Sequence, residues 1–315
     1  MRILVVGAGA VGGYFGGRLA AAGRDVTFLV RAQRAEELKR AGLVIKSRLG
    51  DLTLHDVKTV QADDSVAAAQ PFDLVILSCK AYSLADAIES FAPFVGPSTA
   101  ILPLLNGMRH IDVLTAEFGA ERVLGGQCVI AATLNREREI VHLNDSHGLT
   151  FGELPGGLTD RSRAIDAILQ GAGFDAVASD NILQQMWSKW VFLATLAAST
   201  CLNRAAVGDI LATPDGRRNI EGLLSECRAV SARNGYPLGG DFVARVSGTL
   251  FAAGSTMTAS MLRDVENRSR TEADHILGDL IQRGGDAQHD AQQLSLLRIA
   301  YSHLKAYEAR QAREA

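Results

Sequence analysis

The sequence predicts an α/β protein in two parts: a doubly wound sheet in the first half and an all-helical second half. Two observations carry that prediction. From residue 1 to about 178, short β-rich apolar runs alternate with helical runs, the pattern of strands joined by crossover helices. Past residue 180 the strand signals vanish and helical periodicity continues to the C-terminus. It is broken only at Pro214, Gly235-Tyr236-Pro237, Gly239-Gly240 and Gly284-Gly285. The expected domains are 1–178 and 179–315.

The first strand, Ile3 to Val6, feeds directly into Gly7-Ala8-Gly9-Ala10-Val11-Gly12. A helix expected over Tyr14 to Ala22 follows, with Gly23 as its C-cap. Strand, glycine turn and helix start in that order aim backbone N–H groups at a bound pyrophosphate. Gly7 takes the tight turn, Gly9 leaves room for phosphate, and Gly12 lets helix and strand pack closely. A nucleotide held by Gly7, Gly9, Ala10, Val11 and Gly12 is the expectation; the bland alternative is a tight turn with no ligand.

The second strand, Val26 to Val30, ends where an acidic residue would accept a hydrogen bond from the ribose 2′-hydroxyl of NAD. Arg31 stands there instead. A guanidinium suits a 2′-phosphate, and Gln33 and Arg34 add donors nearby, which favours NADP over NAD. An ordinary surface arginine is the other reading. Asp25 comes too early to serve the ribose.

Leu43 to Ile45 and Leu52 to Leu54 are expected short strands, Phe72 to Leu77 and Ala100 to Leu105 buried ones. Gln127 to Ala132 and Ile140 to Leu143 add β-rich character later in the half. Ligands of open α/β sheets bind outside the carboxyl ends of the strands, which singles out Lys80 and Asn106 after the two buried runs. Each alone is equally a plain turn residue.

In the second half, Asn181 to Cys201 is apolar on nearly all sides and is expected to be a buried helix with Lys189 in its middle. A lysine in that setting either snorkels or acts as a proton donor. Glu272 lies among Arg263, Asp264, Glu266, Arg268 and Arg270, and composition alone makes it part of a solvated helix face. The C-terminal stretch from Glu308 to Ala315 is expected to be a frayed polar end.

The 315 residues, 47% hydrophobic with a formal net charge of −3, suit an ordinary globular protein and lack the basic excess that nucleic acid demands. The four cysteines are far apart in apolar surroundings and predict reduced core thiols. No metal spacing occurs among them or the histidines. The opening apolar run is too short for a targeting segment, and Trp190 to Ala198 is too short for a membrane span, so a cytoplasmic protein is expected.

Taken together, these residues resemble the ketopantoate reductase family, the NADPH-dependent 2-dehydropantoate 2-reductases. The likeness spans nearly the whole chain. Gly7, Gly9 and Gly12 match its fingerprint, Arg31 its 2′-phosphate position, Lys80 in Cys-Lys-Ala its cofactor lysine, and Asn106 in Asn-Gly-Met its cofactor asparagine. Trp187-Ser188-Lys189 resembles the family's Trp-x-Lys, whose lysine is catalytic. Ser260-Met261-Leu262-Arg263-Asp264 and Thr271-Glu272-Ala273-Asp274 resemble Ser-Met-x-x-Asp and Thr-Glu-x-Asp. The resemblance implies a Rossmann-like domain joined to a helical domain of the 6-phosphogluconate dehydrogenase type, with the active site in the cleft between them. It implies NADPH as cofactor, a small-molecule 2-oxo acid as substrate, Lys189 and Glu272 as catalytic residues, and Ser260 as a ligand of the substrate carboxylate.

Two positions depart from the family pattern. Four and eight residues after its catalytic lysine, on one helix face, the family usually carries asparagines that hold the substrate; here they are Leu193 and Ala197. A more apolar 2-oxo acid, or a non-catalytic NADPH-binding regulator, therefore stands beside ketopantoate reduction. A polar patch recurs at Thr195, Ser199, Thr200 and Asn203. The proline-containing stretch usual before the last helix is replaced by Gly285-Asp286-Ala287-Gln288-His289-Asp290. The apolar run Leu250-Phe251-Ala252-Ala253 leaves room for a homodimer interface.

Overall fold

The computed structural model describes residues 1–285 and 294–314; the replaced stretch from Asp286 to Asp290 lies outside the described residues. The chain divides into two compact units. One comprises Met1–Leu105 and His110–Leu183, the other Asn106–Arg109 and Gln184–Ala315.

The first unit opens with β1 (Arg2–Val6), α1 (Ala10–Ala21), β2 (Asp25–Leu29) and α2 (Ala32–Ala41), followed by β3 (Leu43–Lys46), β4 (Leu52–Leu54) and β5 (Thr59–Val60). Then come α3 (Ser65–Ala68), β6 (Phe72–Leu77), α4 (Leu84–Phe91) and β7 (Val95–Pro103). After α5 (Arg109–Phe118) follow β8 (Leu124–Leu134), β9 (Ile140–Glu153), α6 (Asp160–Leu169) and β10 (Asp175–Ala178). A five-stranded parallel sheet runs in the order β5-β2-β1-β6-β7. β1 and β6 lie at its centre and are buried at nearly every position, which is why they read as continuous apolar runs.

The later β-rich segments do not extend this sheet. They build a second one, β10-β9-β3-β4, with β8 paired to β9. β8 and β9 form a long antiparallel hairpin, which needs no crossover helix and so escapes the strand–helix alternation of the parallel sheet. Its turn is closed by Asn135, whose carboxamide oxygen accepts from the Glu139 N–H at 2.8 Å. One core joins both sheets through α1: Ile3, Val5, Tyr14, Phe15 and Phe28 pack with Leu43, Ile45, Ile140, Leu149 and Phe151.

The second unit is helical: α7 (Ile182–Asn203), α8 (Val207–Leu211), α9 (Gly216–Arg233), α10 (Gly240–Leu250), α11 (Ser260–Glu266), a π-helical turn over Asp274–Gly278, α12 (Asp279–Arg283) and α13 (Ser295–Glu314). α7 begins at the end of the first unit. α13 continues through the stretch expected to fray. Glu308 accepts from Thr271 Oγ1 at 2.5 Å and from Lys305 Nζ at 2.6 Å, and Arg310 reaches Glu314 one turn on at 2.8 Å. The parallel sheet with its helices and the helical C-terminal region match the predicted fold class.

Three of the four cysteines are buried and Cys79 is half-buried. Burial pushes the Cys201 and Cys227 thiols up to about 12, which leaves them inert core residues. Among the described residues no helix is long and apolar enough to cross a membrane, and no group of three or more His, Cys, Asp or Glu side chains is placed to hold a metal.

Candidate functional site

In the first unit the glycine loop has the form that an anion requires. Gly7 has φ +89°, a conformation that a side chain would strain. At both Gly7 and Gly9 the space where a side chain would stand is open, with no atom within 4 Å. Gly12 is the opposite case: a Cβ there would land on Ser78 Oγ and 2.5 Å from the Gly7 carbonyl oxygen. That close approach seats the start of α1 against β1 and β6.

Gly9 caps α1 without any side-chain bond, and the first turn of the helix contains no acidic residue. The amides of Ala10, Val11 and Gly12 precede the first residue with an intrahelical partner, Gly13, whose N–H reaches the Gly9 carbonyl at 2.8 Å. Unpaired donors, a helix dipole and open space above small residues fit a dinucleotide pyrophosphate.

β1, β2 and β6 are neighbours in the parallel sheet, so the residues following them emerge at one edge. Gly7 follows β1, Arg31 follows β2, and Ser78-Cys79-Lys80 follows β6. Arg31 is exposed, caps α2, and its guanidinium engages no partner among the described residues. Arg34 is spent. It donates to Glu37 at 3.0 Å, to the Ala8 carbonyl at 3.3 Å and to the Arg138 carbonyl at 3.3 Å, tying the glycine loop, α2 and the β8–β9 turn together. Gln33 turns to Glu37 as well, at 3.3 Å. Both side chains thus lean on Glu37 in this structure. Asp25 pairs with Lys58 at 2.7 Å at the far end of β2, and that hydrogen bond holds its carboxyl below the usual value. Lys80 is exposed and begins a tight turn, its carbonyl accepting from Ser83 N–H at 2.9 Å.

The second unit gathers Lys189, Glu272, Ser260 and the turn containing Asn106. Lys189 is half-buried on α7 between Trp187 and Trp190, whose rings lie 4.9 Å apart. Trp190 donates its indole N–H to the Ile276 carbonyl at 3.0 Å. Ile276 in turn donates its own N–H to the Glu272 carbonyl at 2.9 Å. One buried bond thus links the helix segment bearing Lys189 to the segment bearing Glu272. Glu272 is half-buried immediately before the π-helical turn rather than on a solvated helix face. Thr271 on one side is held by Glu308, and Asp274 on the other by Tyr301 at 2.7 Å and Lys305 at 3.0 Å.

Ser260 is exposed at the first residue of α11. The preceding Ala259 N–H reaches Thr200 Oγ1 at 3.4 Å, so α7 also steadies the start of α11. The polar patch noted on α7 serves its own backbone. Thr195, Ser199, Thr200 and Asn203 donate to the carbonyls one turn back at 2.7–2.8 Å, and the three hydroxyl residues are fully buried. Leu193 is half-buried and Ala197 buried.

Sequence reasoning missed the Trp190–Ile276 bond, the Arg34 clamp and His275. His275 is 7% exposed beside the Asn106 turn. Its only local signal is its place three residues after Glu272.

The chain resembles known proteins throughout its length. The family model "Ketopantoate reductase PanE/ApbA" matches residues 3–156 and its C-terminal companion matches residues 181–308. An "Uncharacterized oxidoreductase YkpB" of Bacillus subtilis is 41% identical over 98% of this chain and 99% of its own length. The crystal structure of 2-dehydropantoate 2-reductase from Methylococcus capsulatus is 30% identical with a TM-score of 0.85, covering 99% of this chain and 98% of that one. A ternary structure of D-mandelate dehydrogenase with NADH and anilino(oxo)acetate shares the fold, with a TM-score of 0.85, 21% identity and 99% coverage of both chains.

Proposed function

The chain belongs to the ketopantoate reductase family of oxidoreductases, and we propose that it is an NADPH-dependent 2-oxo acid reductase whose first candidate substrate is ketopantoate (2-dehydropantoate). The observation that carries this proposal is the Trp190–Ile276 bond, which joins the Lys189 and Glu272 segments, the two candidates for acid chemistry. NADPH, when bound, would supply the hydride that the ketone carbon receives. Protonated Lys189 donates its proton to the ketone oxygen and balances the negative charge that develops there. Glu272 positions Lys189 or the substrate. Ser260 hydrogen-bonds the substrate carboxylate from the start of α11. Gly7, Gly9, Ala10, Val11 and Gly12 hold the pyrophosphate, Arg31 the 2′-phosphate, while Lys80 and Asn106 orient the nicotinamide and ribose.

One observation favours a second substrate. Leu193 and Ala197 present no polar atom, and every hydroxyl further along α7 is engaged by the helix itself. A site with fewer side-chain donors suits a 2-oxo acid with an apolar tail better than one with a hydroxyl to be held.

The test is NADPH oxidation at 340 nm with ketopantoate and with branched and aromatic 2-oxo acids, NADH serving as control. Turnover of ketopantoate supports the first substrate, and turnover only of apolar acids makes Leu193 and Ala197 specificity determinants. Silence across the panel despite tight NADPH binding overturns both in favour of a non-catalytic nucleotide-binding regulator. Lys189→Ala is expected to lower kcat by about 10²–10⁴-fold, the range for a lost general acid, with an unchanged Kd for NADPH. An unaffected kcat removes Lys189 from the mechanism.

A further inference from the structure

Asn106 and Gly107 form a turn that is built on one side chain. Gly107 is buried with φ +82°, and a Cβ added there would meet His275 at 2.9 Å from Cδ2, 3.2 Å from Nε2 and 3.1 Å from its carbonyl oxygen. The backbone of the turn therefore lies against the imidazole with no space for a side chain between them. The ring also makes a hydrogen bond to the backbone of Asn106. His275 sits in the π-helical turn, a departure from α-helical geometry often found at functional sites, and its N–H shares the Glu272 carbonyl with that of Ile276, at 3.1 Å and 2.9 Å. One residue thus holds the Asn106 turn through its ring and the Glu272 segment through its backbone.

We propose that His275 is a positioning residue, which holds the Asn106–Gly107 turn in the conformation that offers the Asn106 carboxamide to a bound nicotinamide dinucleotide. This inference rests on the proposed cofactor function. The imidazole suits the task because it combines a flat face, against which a glycine backbone packs, with a donor at its edge. Burial chiefly drives its pKa below the ordinary value and Arg109 adds to that, while Glu272, Asp279 and the hydrogen bond to the Asn106 backbone pull the other way without reversing it. The left-handed conformation of Gly107, which follows Asn106, is one that glycine adopts without strain and that brings the turn's backbone against the ring.

The test is the dissociation constant of NADPH, read by quenching of protein fluorescence without substrate, for wild type, His275→Phe, His275→Gln and Gly107→Ala. His275→Phe keeps the flat ring and loses the donor, and is expected to weaken NADPH binding by about tenfold, the effect of one lost charge-free hydrogen bond at the upper end of its range. His275→Gln, which keeps an N–H donor, is expected to restore binding to within about threefold of wild type. Gly107→Ala, which pushes the turn off the same ring, is expected to reproduce the loss and stands in should His275→Phe fail to fold. Placed in an Asn106→Ala background, His275→Phe is expected to have no further effect, whereas a merely structural residue would add its own penalty. Wild-type affinity in both His275→Phe and Gly107→Ala, or additivity with Asn106→Ala, overturns the proposal and leaves the cofactor function intact. Failure of the wild-type protein to bind either NADPH or NADH overturns the cofactor function itself, and this inference with it.

Discussion

Arg31 and Arg34 stand three residues apart, and the structure gives them opposite circumstances. Arg34 makes three hydrogen bonds, two of which tie α2 to the glycine loop and to the β8–β9 turn, and its side chain is 11% exposed. Arg31 is exposed and unengaged at the end of β2. In the proposed function, discrimination between NADPH and NADH is assigned to Arg31. Arg31→Ala is expected to weaken NADPH binding by about 1.5–3 kcal/mol, the worth of hydrogen bonds to a charged group, and to leave NADH binding nearly unchanged. Titration of both nucleotides against the variant checks this; equal losses for the two would show that Arg31 does not read the 2′-phosphate.

At the scale of elements, the π-helical turn after Glu272 is held to α7 by the Trp190 indole N–H, which donates to the Ile276 carbonyl. Removing the indole donor takes away one buried hydrogen bond that the Ile276 carbonyl accepts. Trp190→Phe is expected to cost about 1–3 kcal/mol and to lower the melting temperature of the helical unit by several degrees. A variant that melts with wild type would show that the bond does not hold the turn. The same elements show what the sequence made legible. The strands β1, β2 and β6, the glycine turn and the long helix α7 were all readable, because apolar runs, turn residues and helical periodicity are local signals. The second sheet was not, because β3 pairs with β9, and such a partner leaves no trace near either strand. The hydroxyls of α7 were misleading for the converse reason. Composition shows that Thr195, Ser199 and Thr200 are polar, but only the helix backbone shows that their hydrogen bonds are already made. Lys189 and Glu272 are singled out by motif; the Trp190 link between their segments has no such signal, since it joins residues far apart in the chain.

At the scale of the whole molecule, each unit carries a histidine, half-buried His147 in the first and buried His275 in the second, that resists protonation, and this shapes how stability responds to acid. His147 accepts or donates a hydrogen bond with Tyr14 Oη at 2.8 Å, beside His142, whose ring lies 5.9 Å away. Burial chiefly holds its pKa below the ordinary 6.5, with His142 and Arg18 adding to the effect and Asp175 opposing it. In the second unit burial does the same for His275. For both, the folded state binds fewer protons than the unfolded chain once the pH drops below about 6.5, so the stability they contribute is complete above that value and is lost as pH falls through it toward the folded values. Carboxylates act lower down. Burial opposes ionisation of Glu153, but the hydrogen bonds from Arg161 and Thr159 outweigh it and hold its pKa below 4.5. Its contribution is therefore present above that value and disappears only in stronger acid. Melting curves between pH 7.5 and 4 should consequently fall in two stages, the first beginning near 6.5. Because two compact units need not unfold together, His147→Gln is expected to flatten the first stage for the α/β unit alone and His275→Gln for the helical unit alone. Calorimetry at pH 7.5 and 5.5 distinguishes them: an acid-induced drop of the same size in His147→Gln and in wild type would mean that another group carries the response.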